Sequence, residues 1–210
     1  MKVGGCLQFN EIEKIYKKIA NTGLNIINEE EIMIPSLKSS SMNTRTISLY
    51  ENQGKKLALK IQNEHDKNPK FFEISWYMKI ENSKHSMALI YFPDTNVLEF
   101  FDPSGYNHTR PKLTTYPADK VMFYFLDSVM ETLQASFHNM NNVNINPGGH
   151  CNAWSIYYCM MRYNNLTLNK SEFHKKYIND WQKINTANDK FKLEYEIYGP
   201  IHKLLKSMIS

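Results

Sequence analysis

His85-Ser86-Met87-Ala88-Leu89-Ile90-Tyr91-Phe92, then Pro93-Asp94-Thr95-Asn96, then Val97-Leu98-Glu99-Phe100-Phe101-Asp102: two apolar runs flank four turn-forming residues. Runs of this length, rich in aliphatic and aromatic side chains and bounded by Pro, Asp and Asn, read as strands. Four residues are too few for a crossover, so the two strands form an antiparallel hairpin. Antiparallel pairing lays the start of one strand beside the end of the next, which sets His85 near Asp102 at one edge. Upstream, residues 71–80 read as a third strand, joined through Glu81-Asn82-Ser83-Lys84, and the short runs at 46–50 and 56–61 also read as strands. The expectation is a twisted antiparallel sheet.

Helical periodicity surrounds this block. Asn10 and Glu13 resemble a capping box, and Ile12, Ile15, Tyr16 and Ile19 recur at helical spacing, predicting a surface helix over 11–21 that ends near Gly23. Residues 32–43, with Pro35 and three consecutive serines, read as a linker, so 1–45 form an N-terminal extension and 46–210 the main domain. Pro117 opens a helix whose apolar face, Met122, Phe125, Leu126, Val129, Leu133 and Phe137, carries it to about residue 139. A polar loop over 139–149 precedes a helix at 151–163, and two more helices are predicted over 171–183 and 190–208, the last interrupted at Gly199-Pro200. A sheet packed against helices is an α+β domain.

Composition narrows the setting. A chain of 210 residues can bury a core without disulfides or metal. Cys6, Cys151 and Cys159 form no CxxC pair, which argues against zinc, and their odd number fits a reducing compartment. The first residues lack the apolar core of a secretory signal, and no run approaches the ~20 apolar residues of a membrane span. The expectation is a soluble intracellular protein without a membrane partner. A net charge of +4, from 25 basic and 21 acidic side chains scattered along the chain, describes a mixed solvated surface. No basic stripe interleaved with aromatics predicts a nucleic-acid partner.

Chemistry concentrates at Pro147-Gly148-Gly149-His150-Cys151-Asn152-Ala153-Trp154. A glycine pair that frees the backbone, then a cysteine opening a helix, suits a nucleophilic thiolate. An aspartate bonded to one imidazole nitrogen fixes the ring and aims the other nitrogen at a thiol. Alone, His85 or Asp102 would read as a polar strand end; together with Cys151 they suggest a triad in the order His, Asp, Cys. His150 is a rival base by proximity alone. Cys159, two turns along the same helix, reads as a buried apolar cysteine, and Trp154 as a core anchor.

Residues 70–165 resemble the papain-like clan of cysteine proteases that includes the ubiquitin-like (SUMO) proteases and the adenovirus maturation protease. There too a His opening a strand precedes an acidic residue by a similar interval, here 17 residues, and the Cys starts the central helix. The strings around His85, Asp102 and Cys151 are similar to those of predicted proteases of large DNA viruses. The resemblance implies a papain-like, adenovirus-protease-like fold and a thiol peptidase, with Cys151 as nucleophile, His85 as general acid and Asp102 as its orienter. The clan usually has a Gln six or seven residues before the Cys as an oxyanion donor. Asn144 and Asn146 flank Ile145 there in this chain and are candidates, a structural loop role being the alternative for each. Ser86 stands where the clan often has a channel-lining Trp, and Trp76 on the preceding strand is the candidate replacement wall. His150 and Asn152 replace an Asp and a Gly.

No cofactor is implied. The resemblance points to protein substrates cut after Gly or another small residue: a viral polyprotein or structural precursor, or a ubiquitin-like conjugate, in host cytoplasm or virion. An activating peptide or other partner is also implied, DNA included. The alternatives are acyl transfer from acetyl-CoA by the same triad, and a catalytically silent binding module.

Overall fold

The computed structural model describes residues 7, 9–28, 32–34, 44–63, 68–78, 83–106, 108–109, 117–141, 145, 150–179 and 198–208. In chain order the elements are α1 (Phe9–Ala20), β1 (Ile26–Asn28), β2 (Ile32–Ile34), α2 (Thr44–Asn63), β3 (Lys70–Met78), β4 (Ser83–Phe92), β5 (Val97–Phe101), α3 (Pro117–Leu133), β6 (Ser136–Asn139) and α4 (Cys151–Tyr163). They are followed by α5 (Lys170–Phe173), which runs into a π-helical turn (His174–Ile178), and by α6 (Gly199–Ser207).

The fold is α+β, with one six-stranded sheet. Its centre is the predicted one: β4 pairs antiparallel with β3 and with β5, in registers that set Trp76 opposite His85 and Ala88 opposite Phe101. The margins depart from the expectation of an antiparallel sheet. β1 and β2 both pair parallel to β3, and β6 pairs parallel to β5, so the sheet is mixed. Helices supply the returns that parallel neighbours require.

Strand alternation divides the core in two. Phe72, Ile74, Met87, Leu89, Leu98 and Phe100 bury against α2 and α3 on one face. Phe71, Ala88, Ile90 and Phe101 bury against α1, α4 and α6 on the other. The predicted surface helix is present as α1: its apolar stripe, with Ile15 and Ile19 fully buried in the same core as Trp154, faces inward, while Glu13, Lys14, Lys17 and Lys18 face solvent.

Two further expectations are corrected. Residues 46–50 and 56–61, read as strands, lie within the single helix α2. Its buried residues Tyr50, Gly54, Leu57, Ala58 and Ile61 recur at helical spacing, and the absent side chain of Gly54 lets α2 approach α3 closely. The helix predicted to reach about 139 stops at Leu133. Gln134 adopts φ 53°, its N–H reaches the Glu131 carbonyl and that of Ala135 reaches Met130, a Schellman turn that sends Phe137 into β6. Of the two C-terminal helices, the first is short and becomes π-helical, and the second is described only from residue 198 onward.

A Cβ on Gly54 would lie 2.3 Å from the Phe125 carbonyl oxygen, a backbone atom of α3 that cannot swing aside. Gly54→Ala is therefore expected to lower stability by about 2 kcal/mol in urea unfolding, despite alanine's better helix propensity.

Candidate active site

Three elements converge where β4 begins, β5 ends and α4 starts. The β4–β5 register carries His85 and Asp102 to the same edge of the sheet, and His85 Nε2 lies 2.5 Å from Asp102 Oδ1. The same carboxylate oxygen accepts the Ser104 backbone N–H at 2.7 Å, and the Asp102 carbonyl accepts the Asn141 side-chain amide at 2.6 Å and the Gly105 N–H at 3.0 Å. Gly105 has φ 82°, a left-handed conformation that glycine adopts freely, and so closes the turn behind Asp102. The carboxylate is fixed before it meets the ring.

With Nε2 held by Asp102, Nδ1 is the ring nitrogen left for a third group. Cys151, the first residue of α4, is the neighbour that acts on the ring besides Asp102. His85, Asp102 and Cys151 are all buried. Burial alone would pull the imidazole pKa down, but the hydrogen bonds and charges of Asp102 and Cys151 outweigh it and push the value up to about 10. His85 is therefore protonated at neutral pH, and the start of α4 adds its partial positive charge beside the sulfur.

The neighbours sort into walls and supports. The Trp76 ring, only partly buried, lies with its centroid 5.5 Å from that of His85 and tilted by 49°. Ser86, proposed from sequence as a channel residue, is fully buried beneath the site, where its carbonyl accepts the Ser155 hydroxyl. It lines no channel. His150 is stacked on Tyr198, the residue just before α6, at 3.8 Å, an engagement that makes it a support for the start of α4 rather than a rival base. Cys159 is buried, and desolvation pushes its thiol pKa up, as expected of an inert core cysteine. Asn144 and Asn146, the candidate oxyanion donors, and Cys6 lie outside the described residues. Among the described residues no three His, Cys, Asp or Glu side chains cluster to hold a metal ion.

Sequence reasoning missed a second polar group behind the thiol. Cys151 Sγ lies 3.5 Å from Asn152 Oδ1, Asn152 Nδ2 lies 3.2 Å from Glu73 Oε1, and the Tyr16 hydroxyl of α1 donates a short hydrogen bond to Glu73 Oε2. Burial pushes the Glu73 pKa up, partly offset by hydrogen bonds from Tyr16 and Asn152 and by the charge of Lys84. The one signal in the sequence was an acidic residue inside the apolar run Phe71-Phe72-Glu73-Ile74.

No family model matches the chain, and no curated protein matches it in sequence. No helix among the described residues is long and apolar enough to cross a membrane.

Because folding raises the His85 pKa from 6.5 to about 10, the protonated ring contributes stability that is complete below pH 6.5 and is lost as pH rises through 10. Urea unfolding is expected to show this loss, on the order of 5 kcal/mol, between those limits. Asp102→Asn removes the main cause of the shift and should flatten the profile over the same window.

Proposed function

We propose that the protein is a cysteine peptidase in which Cys151 attacks the carbonyl of a peptide or isopeptide bond. The observation that carries this reading is the buried, hydrogen-bonded pair of Asp102 and His85 with Cys151 acting on the same ring, its sulfur at a helix N-terminus. Each group has a role that its surroundings support. The thiolate forms a bond to the carbonyl carbon, and the carbonyl π electrons move to oxygen. Protonated His85 then delivers its Nδ1 proton to the departing amine as the C–N bond breaks, leaving an acyl-enzyme and a neutral ring. In the second half the neutral ring takes a proton from water as it attacks the thioester, and the thiolate leaves. Asp102 keeps the ring in one orientation throughout and stabilises its charged form. The Cys151 backbone N–H, which at the first turn of α4 has no partner within the helix, is a natural donor to the oxyanion.

The finer fold assignment, to the papain-like and adenovirus-protease-like group, belongs to the same proposal. It is supported by the order His, Asp, Cys, by the nucleophile's position at the head of a helix packed on the sheet, and by the use of Nε2 for the orienting carboxylate. Trp76, beside the imidazole, supports a narrow substrate channel with an aromatic wall, which in turn suits a small residue such as Gly before the cut bond. A viral precursor protein and a ubiquitin-like conjugate both present such a tail, in a host cell or a virion.

The test is labelling by C-terminally electrophilic ubiquitin-family proteins and Gly-Gly peptides. Covalent labelling of Cys151, abolished in Cys151→Ala and lowered at least about 10³-fold in His85→Ala, is the expected outcome, with Asp102→Asn reduced by about 10²-fold or more. Absence of labelling by every probe, together with Cys151 reacting no faster with iodoacetamide than a buried thiol, would overturn the peptidase reading.

A further inference from the structure

Asn152 stands between two groups that can each carry a proton. One end of its side-chain amide faces the Cys151 sulfur at 3.5 Å and the other faces a carboxylate oxygen of Glu73 at 3.2 Å. An amide has one accepting and one donating end, and rotating it by half a turn exchanges them at almost unchanged shape. A carboxylate can only accept, so an ionised Glu73 holds Nδ2 toward itself and Oδ1 toward the sulfur, where Cys151 must be a thiol to donate. A protonated Glu73 can donate through its hydroxyl to Oδ1, which lets the amide turn Nδ2 toward the sulfur, where a thiolate accepts. With both groups ionised, a buried acceptor faces an acceptor whichever way the amide lies, at a cost of about 1–3 kcal/mol.

We propose that Cys151 and Glu73 share one proton across the Asn152 amide, so that an ionised Glu73 holds the sulfur as a resting thiol and a neutral Glu73 releases the thiolate. The inference rests on Cys151 being the reactive thiol of the proposed function. The exchange is balanced: the sulfur loses one proton, the Glu73 carboxyl gains one, and the amide turns without making or breaking a covalent bond. Asn152 and Glu73 are positioning residues, acting on the sulfur rather than on substrate.

The groups around Glu73 set its balance point. Tyr16 of α1 donates to the carboxylate, Lys84 of β4 lends positive charge, and the apolar burial under α4, with Cys159 beside it, opposes ionisation. Tyr16 therefore places α1 in the same circuit. On the far side of the sulfur, His85 and Asp102 favour the thiolate. The resting site is a contest between these two arms, and the hydroxyl of Tyr16 strengthens the one that keeps the proton on sulfur.

The experiment is the pH dependence of iodoacetamide alkylation of Cys151, read by mass spectrometry of its peptide, in the full chain and in Glu73→Gln, Asn152→Ala, the double variant and Tyr16→Phe. Each is checked for folding by circular dichroism. The glutamine amide can donate to Asn152 Oδ1 as a protonated Glu73 would, so E73Q is expected to move the alkylation midpoint to lower pH by about one unit. Y16F, which removes a donor to the ionised form and leaves the ring in place, should move it in the same direction by less. In the Asn152→Ala background the effect of E73Q should fall by half or more. A midpoint unchanged or raised in E73Q, or an E73Q shift of equal size with and without Asn152, would overturn the proposal. Should E73Q not fold, an unchanged or raised midpoint in Y16F would overturn it instead. The readout needs no peptide substrate: a shifted profile without any probe labelling would count against the peptidase reading alone, and probe labelling with an unshifted profile against the shared proton alone.

Discussion

The register of β4 between two antiparallel neighbours is the constraint on which the site depends. Side chains alternate along a strand, so a slip of one residue would exchange Met87 and Leu89, packed on α2 and α3, with Ala88 and Ile90, packed on α4. Both cores resist that slip at once. The pairing of Ala88 with Phe101 leaves His85 and Asp102 just beyond the last paired residues, on adjacent strands and within reach of each other. The turn adds its own lock: Asn96, with φ 50°, accepts a bond from the Tyr91 hydroxyl and ties the hairpin to the end of α3 through the Gln134 carbonyl.

A second interaction sets the height of α4 on the sheet. Arg162 grips both carboxylate oxygens of Glu99, at 2.9 and 3.1 Å, and Tyr158 donates to the same carboxylate at 3.2 Å, all within the core. The remaining guanidinium nitrogen binds the carbonyls of Asn165 and Leu168, satisfying the end of the helix and the turn after it. A buried ion pair gains little over apolar packing of the same volume, but loss of one partner costs about 3–5 kcal/mol. Its contribution is directional. Only one position of α4 satisfies every one of these bonds, and that position puts Cys151 against His85.

Where local pattern and tertiary demand coincide, the sequence was readable. The β4–β5 hairpin and the start of α4 are of this kind, because turn chemistry, alternation and the apolar helix face all agree over a few residues. The failures have specific causes. Residues 46–61 contain two short runs with strand-like side chains around Gly54, and a glycine that reads as a breaker is there to admit the backbone of α3. The strands β1 and β2 are three residues each, too short to carry a period, and exist only because β3 offers them an edge. The helix predicted through 139 overran because its apolar spacing continues into Phe137 while the chain has already reversed at Gln134. For the site, His85, Asp102 and Cys151 were found as polar or reactive residues at the ends of apolar runs. Glu73, Asn152 and Asn141 were not, because what distinguishes them is a partner 39 to 79 residues away in sequence.

The stacking of Tyr198 on His150 joins the last described helix to the residue just before the thiol. A chain made from its N-terminus completes the sheet, α3 and α4 well before α6 exists. Until then His150 has no ring to lie on, and the head of α4 lacks one of its supports. The residue before Cys151 thus gains this part of its setting only after the segment carrying Tyr198 has been made, well after α4 itself.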